Sequence, residues 1–280
     1  MKYKGLVDKI FEKGKDKFED METYIENTKE IEIAVFKREI DRYNISETEG
    51  LSLRGINDGK LGYCYTEKVD ESSIDMLVEE AYENGKYIDA LEKEIIFSGS
   101  DKYEEIDGFN QNLKEVSIEE KIEFVKSLEK EAFTLDSRIV AVSYCVYKEI
   151  EDSKYLFNTK GLDLENNINL GVAYIMVVAK DGEETKTGLS YRIAKDFSDF
   201  DYKEMAKEAV DEALSYLGAK SIKSKEYPLV LKNIIFADIL SAFKSIFYAE
   251  YVQKGLSLLK DKVGKQIATS NFTLVDDPFN

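Results

Sequence analysis

The spacing of apolar residues changes period several times along the chain, and this alternation most limits the folds open to it. Leu6, Ile10 and Phe11 begin a helical stripe that stops near Gly14. From Lys29 to Val35, Ile31, Ile33 and Val35 fall on every second position, the signature of a half-buried strand. Residues 50–56 and 60–65 flank Asn57-Asp58-Gly59, and an Asp-Gly tip tolerates the positive φ angles of a tight hairpin. Ile74, Leu77, Val78, Ala81 and Tyr82 then recur at helical spacing, with Asp70 placed as a cap. Residues 1–100 thus read as helix, strands, helix.

The periodicity lapses over residues 91–112, where a domain boundary is expected. Ser117-Ile118-Glu119-Glu120 opens a second unit with a capping-box pattern, the Ser hydroxyl and Glu carboxylate serving free helix-end amides. Ile118, Ile122, Val125, Leu128 and Ala132 make its buried stripe. Strands are expected from Arg138 to Ile193: Tyr144 to Tyr147, Tyr155 to Phe157, and Leu170 to Ala179, separated by Glu-Asp-Ser, Asn-Thr-Lys-Gly and Asp-Gly turn signals. A helix with Phe200, Met205, Ala206, Ala209, Val210, Ala213, Leu214 and Leu217 on its face closes the unit at Gly218.

After the polar stretch 221–226, one long helix is predicted over roughly 234–251, then a strand over 272–275. That helix is apolar around so much of its circumference that burial on several faces is expected. The fold class is α/β (α+β), with an N-terminal α/β domain over 1–100 and a central α/β domain over 113–220. Residues 226–280 read as the beginning of a β-rich C-terminal domain, an unfinished one.

Composition narrows the chemistry. The 280 residues include no histidine, which excludes a His-ligated metal site, a Ser-His-Asp or Cys-His nucleophile and a histidine proton shuttle. Cys64 and Cys145 are too few for a four-thiolate zinc site and read as reduced, mostly buried thiols. A formal charge of −17 argues against nucleic acid or anionic lipid as a partner. The longest apolar run, 170–179, falls far short of the ~20 residues of a membrane helix. With no apolar signal-peptide core after Met1-Lys2-Tyr3, a cytoplasmic location is expected.

Weak motifs remain. Ser241-Ala242-Phe243-Lys244 has the Ser-x-x-Lys spacing that sets a lysine amine one helical turn from a serine nucleophile, but such short matches arise by chance. Asp276 and Asp277, or the acids of 101–107, offer carboxylate pairs of the kind used in glycoside hydrolysis; among 56 acidic residues such pairs are unavoidable. No Asp-x-Asp-x-Asp-Gly cation loop or Walker motif is present, and Gly55, Gly59 and Gly62 are hairpin glycines without dinucleotide-binding spacing. Residue chemistry alone provides no active site, which favours a binding role.

Two segments carry a resemblance. One is Glu49-Gly50-Leu51-Ser52-Leu53-Arg54-Gly55-Ile56-Asn57-Asp58-Gly59-Lys60-Leu61-Gly62-Tyr63 with the helix ending in Glu80-Ala81. The other runs from Tyr227-Pro228-Leu229-Val230 through the long helix, Val252-Gln253-Lys254-Gly255 and Lys262-Val263-Gly264-Lys265-Gln266-Ile267-Ala268 to Leu274-Val275-Asp276-Asp277-Pro278. Together they resemble the TldD/PmbA family, long labelled modulators of DNA gyrase, over nearly the whole chain. The resemblance implies a metalloprotease built from TldD-type and PmbA (TldE)-type chains, with His-Glu-x-x-x-His on the TldD-type chain's long helix. Here those positions fall near Leu240, Ser241 and Ser245, none of which serves as metal ligand or general base. The departure points to the PmbA/TldE branch: a non-catalytic subunit with no catalytic, cofactor-binding or metal residue of its own. It also implies a TldD-type partner carrying the metal, zinc or iron, and unfolded peptides as substrates for proteolysis and peptide maturation. The large β domain that follows in the family is missing, so a C-terminal truncation is expected. The rival reading is a stand-alone peptide-binding or chaperone-like module with no protease partner.

Overall fold

Antiparallel strands of unusual length carry the first part of the molecule. The computed structural model describes residues 2–88 and 93–277; Met1 and Pro278, which closes the Val-Asp-Asp-Pro motif, lie outside them. The chain divides into two units, Met1–Ala219 and Lys220–Asn280.

In the first unit, helix α1 (Lys4–Gly14) precedes strands β1 (Asp20–Phe36), β2 (Glu39–Asn57) and β3 (Lys60–Thr66), and helix α2 (Ile74–Lys86) follows. After a short helix, α3 (Gln111–Glu115), the same order returns: α4 (Ile118–Leu135), β4 (Ile139–Asn158), β5 (Asp163–Asp181), β6 (Glu184–Ala194) and α5 (Tyr202–Ser215). Each half is a three-stranded meander with a helix before and after it. The halves join through antiparallel pairing of β1 with β4, from Glu22↔Asn158 to Ala34↔Val146. One six-stranded sheet results, in the order β3-β2-β1-β4-β5-β6. The mixed helix and strand content is that of an α/β (α+β) protein, as the periodicities predict.

Local signals work as their chemistry requires. Asp58 and Gly59 take φ of 51° and 70° at the β2–β3 tip. The Asp70 carboxylate accepts from the Ser72 amide at 2.8 Å ahead of α2, and the Ser117–Glu120 capping box opens α4. The β1–β2 turn is less ordinary, because Lys37 and Arg38 both hold positive φ without being glycine. Their amides donate to the carboxylate of Glu129 on α4, at 2.8 and 2.6 Å, and Glu129 is itself buried. A charged acceptor for two backbone donors offsets the conformational cost of the turn.

The helices pack on one face of the sheet over two cores. One gathers Val7, Ile10, Ile25, Leu51, Leu53, Leu77 and Val78 with Tyr155 and Phe157 of β4. The other gathers Val125, Leu128, Ile175, Val177, Met205 and Val210 with Ile33 and Val35 of β1. Each half therefore sends one end of its first strand into the other's core. At 3.3 Å per residue, β1 is about 55 Å long, enough to reach both. Between the cores, buried Lys121 meets Glu149 at 2.6 Å, and Glu149 accepts from the Tyr147 hydroxyl at 3.0 Å.

Three expectations need correction. Glu151-Asp152-Ser153 is no turn: β4 runs unbroken, these residues facing Lys29, Thr28 and Asn27 of β1, and Thr28 donates to Asp152 at 3.1 Å. In the second unit the predicted long helix is broken into α6 (Asn233–Ala242), a tight turn at Lys244–Phe247 and α7 (Ala249–Gln253). It is not buried either, since only Ser257 is buried among this unit's described residues. Helical segments rich in aromatic and β-branched residues depend on burial against neighbours to extend, and no residue of α6 is buried. Nor do 272–275 form a strand: their backbone is irregular and unpaired.

Edge-strand glycines set how closely the helices approach. A Cβ on Gly62 would lie 1.9 Å from the Ala81 carbonyl oxygen of α2, and one on Gly188 would lie 2.1 Å from that of Ala209 on α5. Gly188→Ala should therefore destabilise the protein by about 2 kcal/mol or more in urea unfolding. Lys121→Ala, which strands the Glu149 carboxylate, should cost about 3–5 kcal/mol in the same measurement.

Candidate functional site

With the helices on one face, the sheet's other face is left without a helical layer in this unit. Alternation along the strands places Tyr24, Glu26 and Thr28 of β1 there, beside Ser52, Gly50 and Thr48 of β2. The same parity brings up Tyr63 and Tyr65 from β3 and Tyr144, Tyr174, Met176, Leu189 and Tyr191 from β4, β5 and β6.

This face has three zones. At the β1–β3 end a hollow of about 410 Å³ is lined by Tyr24, Glu26, Thr28, Thr48, Glu49, Gly50, Ser52, Tyr63, Tyr65 and Glu67. Gly50 lets the Tyr65 ring lie close over the strand, since a Cβ there would lie 2.9 Å from the ring and make it shift. At the β4–β6 end Tyr144, Val172, Tyr174, Met176, Leu189 and Tyr191 line an apolar hollow of about 440 Å³. A band of ion pairs separates the two: Lys148 meets Glu32 at 2.5 Å and Glu30 at 3.1 Å, and Arg42 meets Glu32 at 2.6 Å. Those hydrogen bonds, Lys148 first, hold the Glu32 carboxyl below its ordinary value of 4.5 against the opposing effect of burial. Burial pushes the Tyr24 phenol up, and partial desolvation beside Glu67 raises Tyr65.

The sheet margins differ in the same way. On β3 the Tyr63 carbonyl accepts from Asn84 at 3.1 Å, and on β6 the Leu189 amide donates to Glu212 at 2.9 Å. β2, by contrast, extends from Glu39 to Gly50 before its pairing with β3 begins at Leu51. Among the described residues, no strand pairs with that stretch on its outer side. Aromatic faces, hydroxyls, carboxylates and a bare backbone edge can recognise an extended chain.

The weak motifs come to nothing catalytic. Ser241 lies in the last turn of α6, which ends at Ala242, so Lys244 is not on the next turn of the same helix. A Lys-Thr-Gly triplet that accompanies such serines in acyl enzymes does occur, at 186–188 in β6. There Lys186 pairs with Glu184 at 3.2 Å and Gly188 supports α5, so packing accounts for it. Residues 101–107, Asp276 and Asp277 are exposed on irregular backbone. Leu240, Ser241 and Ser245 offer one hydrocarbon and two hydroxyls, a donor set that does not fit zinc or iron. Among the described residues no group of three or more His, Cys, Asp or Glu is disposed to hold a metal ion, and no helix is long and apolar enough to cross a membrane. Cys64 and Cys145 are free thiols raised by burial. Sequence reasoning missed the tyrosines of the open face; the Tyr63-x-Tyr65 alternation was their signal.

Three family models match consecutive stretches: PmbA/TldA metallopeptidase domain 1 over residues 21–85, the central domain over 111–217 and the C-terminal domain over 224–280. The chain belongs to the TldD/PmbA family of metallopeptidase-like proteins. It is 28% identical over 273 residues to MJ0231 of Methanocaldococcus jannaschii, covering 97% of this chain and 61% of that protein. Metalloprotease MJ0996 of the same organism is 27% identical, with 81% of this chain and 51% of that protein covered. Among solved structures, TM0727 of Thermotoga maritima, described as a modulator of a DNA gyrase, superposes with a TM-score of 0.85 at 28% identity, over 94% of this chain and 60% of that one. TldE from Thermococcus kodakarensis shares the fold with a TM-score of 0.79 at 20% identity, over 91% of this chain and 58% of that one. The chain thus spans between half and two-thirds of the length of these relatives.

The ion-pair band sets an acid response. A carboxyl held low in the folded state contributes stability above its unfolded value, and loses it as pH falls through the folded one. Glu32→Gln should therefore lower the urea midpoint at pH 7, and the gap to the parent protein should narrow as pH falls below 4.5 and the carboxyl takes up its proton.

Proposed function

We propose that this chain is a non-catalytic, PmbA/TldE-type subunit of a two-chain metallopeptidase. It holds peptide while a TldD-type partner performs the cleavage. One observation carries the reading: the chain has not a single histidine, and the positions that the resemblance gives to the family's metal-binding motif fall near Leu240, Ser241 and Ser245. Whatever metal the family uses, zinc or iron, these residues cannot hold it, and no step of hydrolysis runs through them.

The open sheet face supports the complementary role. An unfolded peptide can add to the free edge of β2 through backbone hydrogen bonds and lay alternate side chains across the face. The polar and aromatic hollow beside that edge can then take one of those side chains. An unfolded chain exposes far more unpaired backbone and more of its side chains than a folded domain does, so unfolded substrates are favoured. With its strong negative charge the subunit works on peptides, not DNA.

Co-expression with a TldD-type chain from the same genome should yield a complex of both chains whose metal content follows the partner. Its cleavage of an unfolded peptide should exceed that of the partner alone by an order of magnitude or more. No association, or no gain in cleavage, rejects the subunit role.

A further inference from the structure

The hollow at the β1–β3 end has a composition the peptide-holding role does not by itself demand. Strand register arranges its residues in two adjacent rows on the same face. Tyr24, Ser52 and Tyr65 face one another across β1, β2 and β3. In the next row Glu26 faces Gly50, and one step beyond the last β2–β3 pair, Leu51↔Thr66, comes Glu67. Two phenol rings thus lie beside two carboxylates, with only a hydrogen for the side chain between the acids. Tyr63 adds a third ring at the rim, and the Tyr65 ring lies against Gly50, so an aromatic surface meets the gap.

The charges present are unevenly matched. Glu26 is 3.4 Å from Lys154, but Lys154 is drawn more closely to Asp152, at 2.8 Å. Among the described residues Glu67 pairs with no lysine or arginine, its hydrogen-bond partner being the Tyr65 hydroxyl at 3.4 Å. A site walled by π faces and rimmed by carboxylates attracts an organic cation through the ring quadrupoles and by direct charge. The long-range field of a chain at −17 acts in the same direction.

We propose that this hollow binds the ammonium or guanidinium head of a lysine or arginine side chain in an extended peptide, so that the subunit selects basic residues at one position. The inference rests on the peptide-holding reading and adds a specificity to it. The apolar hollow at the opposite end of the face lacks carboxylates and has no such preference.

The test uses two capped pentapeptides, Ala-Ala-Lys-Ala-Ala and the same sequence with norleucine for lysine, titrated into the full chain at low salt and followed by NMR. The lysine peptide should bind about fivefold tighter, and the ratio should fall towards one in Glu67→Gln and in Tyr65→Leu. Equal binding of both peptides overturns the cation site and leaves peptide holding intact. Binding of neither overturns both. A lysine preference that survives Glu67→Gln overturns the location. Glu67→Gln is isosteric at an exposed position, so it decides the matter alone should Tyr65→Leu fail to fold.

Discussion

Pairing of β1 with β4 is the constraint on which the first unit depends. Thirteen consecutive residue pairs, from Glu22↔Asn158 to Ala34↔Val146, turn two three-stranded meanders into one sheet. Neither meander with its helices would be complete without it, because Tyr155 and Phe157 fill one core and Ile33 and Val35 the other. The interior of this seam is polar where the two cores part. Lys121, Glu149 and Tyr147 satisfy one another there, and on the opposite, open face Thr28 is bonded to Asp152. Buried polar groups of this kind specify register, because a slip of one residue would leave charges unpaired and reverse the faces.

The same seam generates the face proposed to hold peptide. Joining the meanders edge to edge puts α1, α2, α4 and α5 on one side and leaves a broad strand face on the other within this unit. Its two ends differ because the halves differ in sequence: β1, β2 and β3 present tyrosines, hydroxyls and acids, whereas β4, β5 and β6 present aliphatic and aromatic side chains. The ion-paired band between them lies over the seam itself, where Lys148 of β4 meets Glu30 and Glu32 of β1.

Much of this was legible from short-range pattern. The Asp58-Gly59 tip, the Ser117–Glu120 capping box, Asp70 ahead of α2, the stripe of α2, Val125, Leu128 and Ala132 of α4 and Met205 to Ala213 of α5 stand where spacing placed them, because each depends on atoms within a turn or two of chain, whereas Ile118 and Ile122 are only half-buried. Residues 39–48 of β2 were silent, being exposed on both faces and so without apolar alternation. Glu151-Asp152-Ser153 misled for a related reason. A turn and a polar stretch of central strand share a composition, and only the partner strand distinguishes them. The second unit shows the reverse case: an apolar run long enough for one helix, interrupted at Phe243 and Tyr248, with none of its residues buried.

What the chain decides unaided is therefore local: which segments are helical, where tight turns fall, that no imidazole exists to grip a metal, and which family motifs are present. The joining of two meanders through β1 and β4 was decided only in three dimensions, as was the gathering of Tyr24, Tyr65, Glu26 and Glu67 around Gly50. The physical reason is distance along the chain. Tyr24 and Tyr65 are forty-one positions apart and carry no local signature of their meeting. Strand register supplies it, and register is fixed by burying the opposite face.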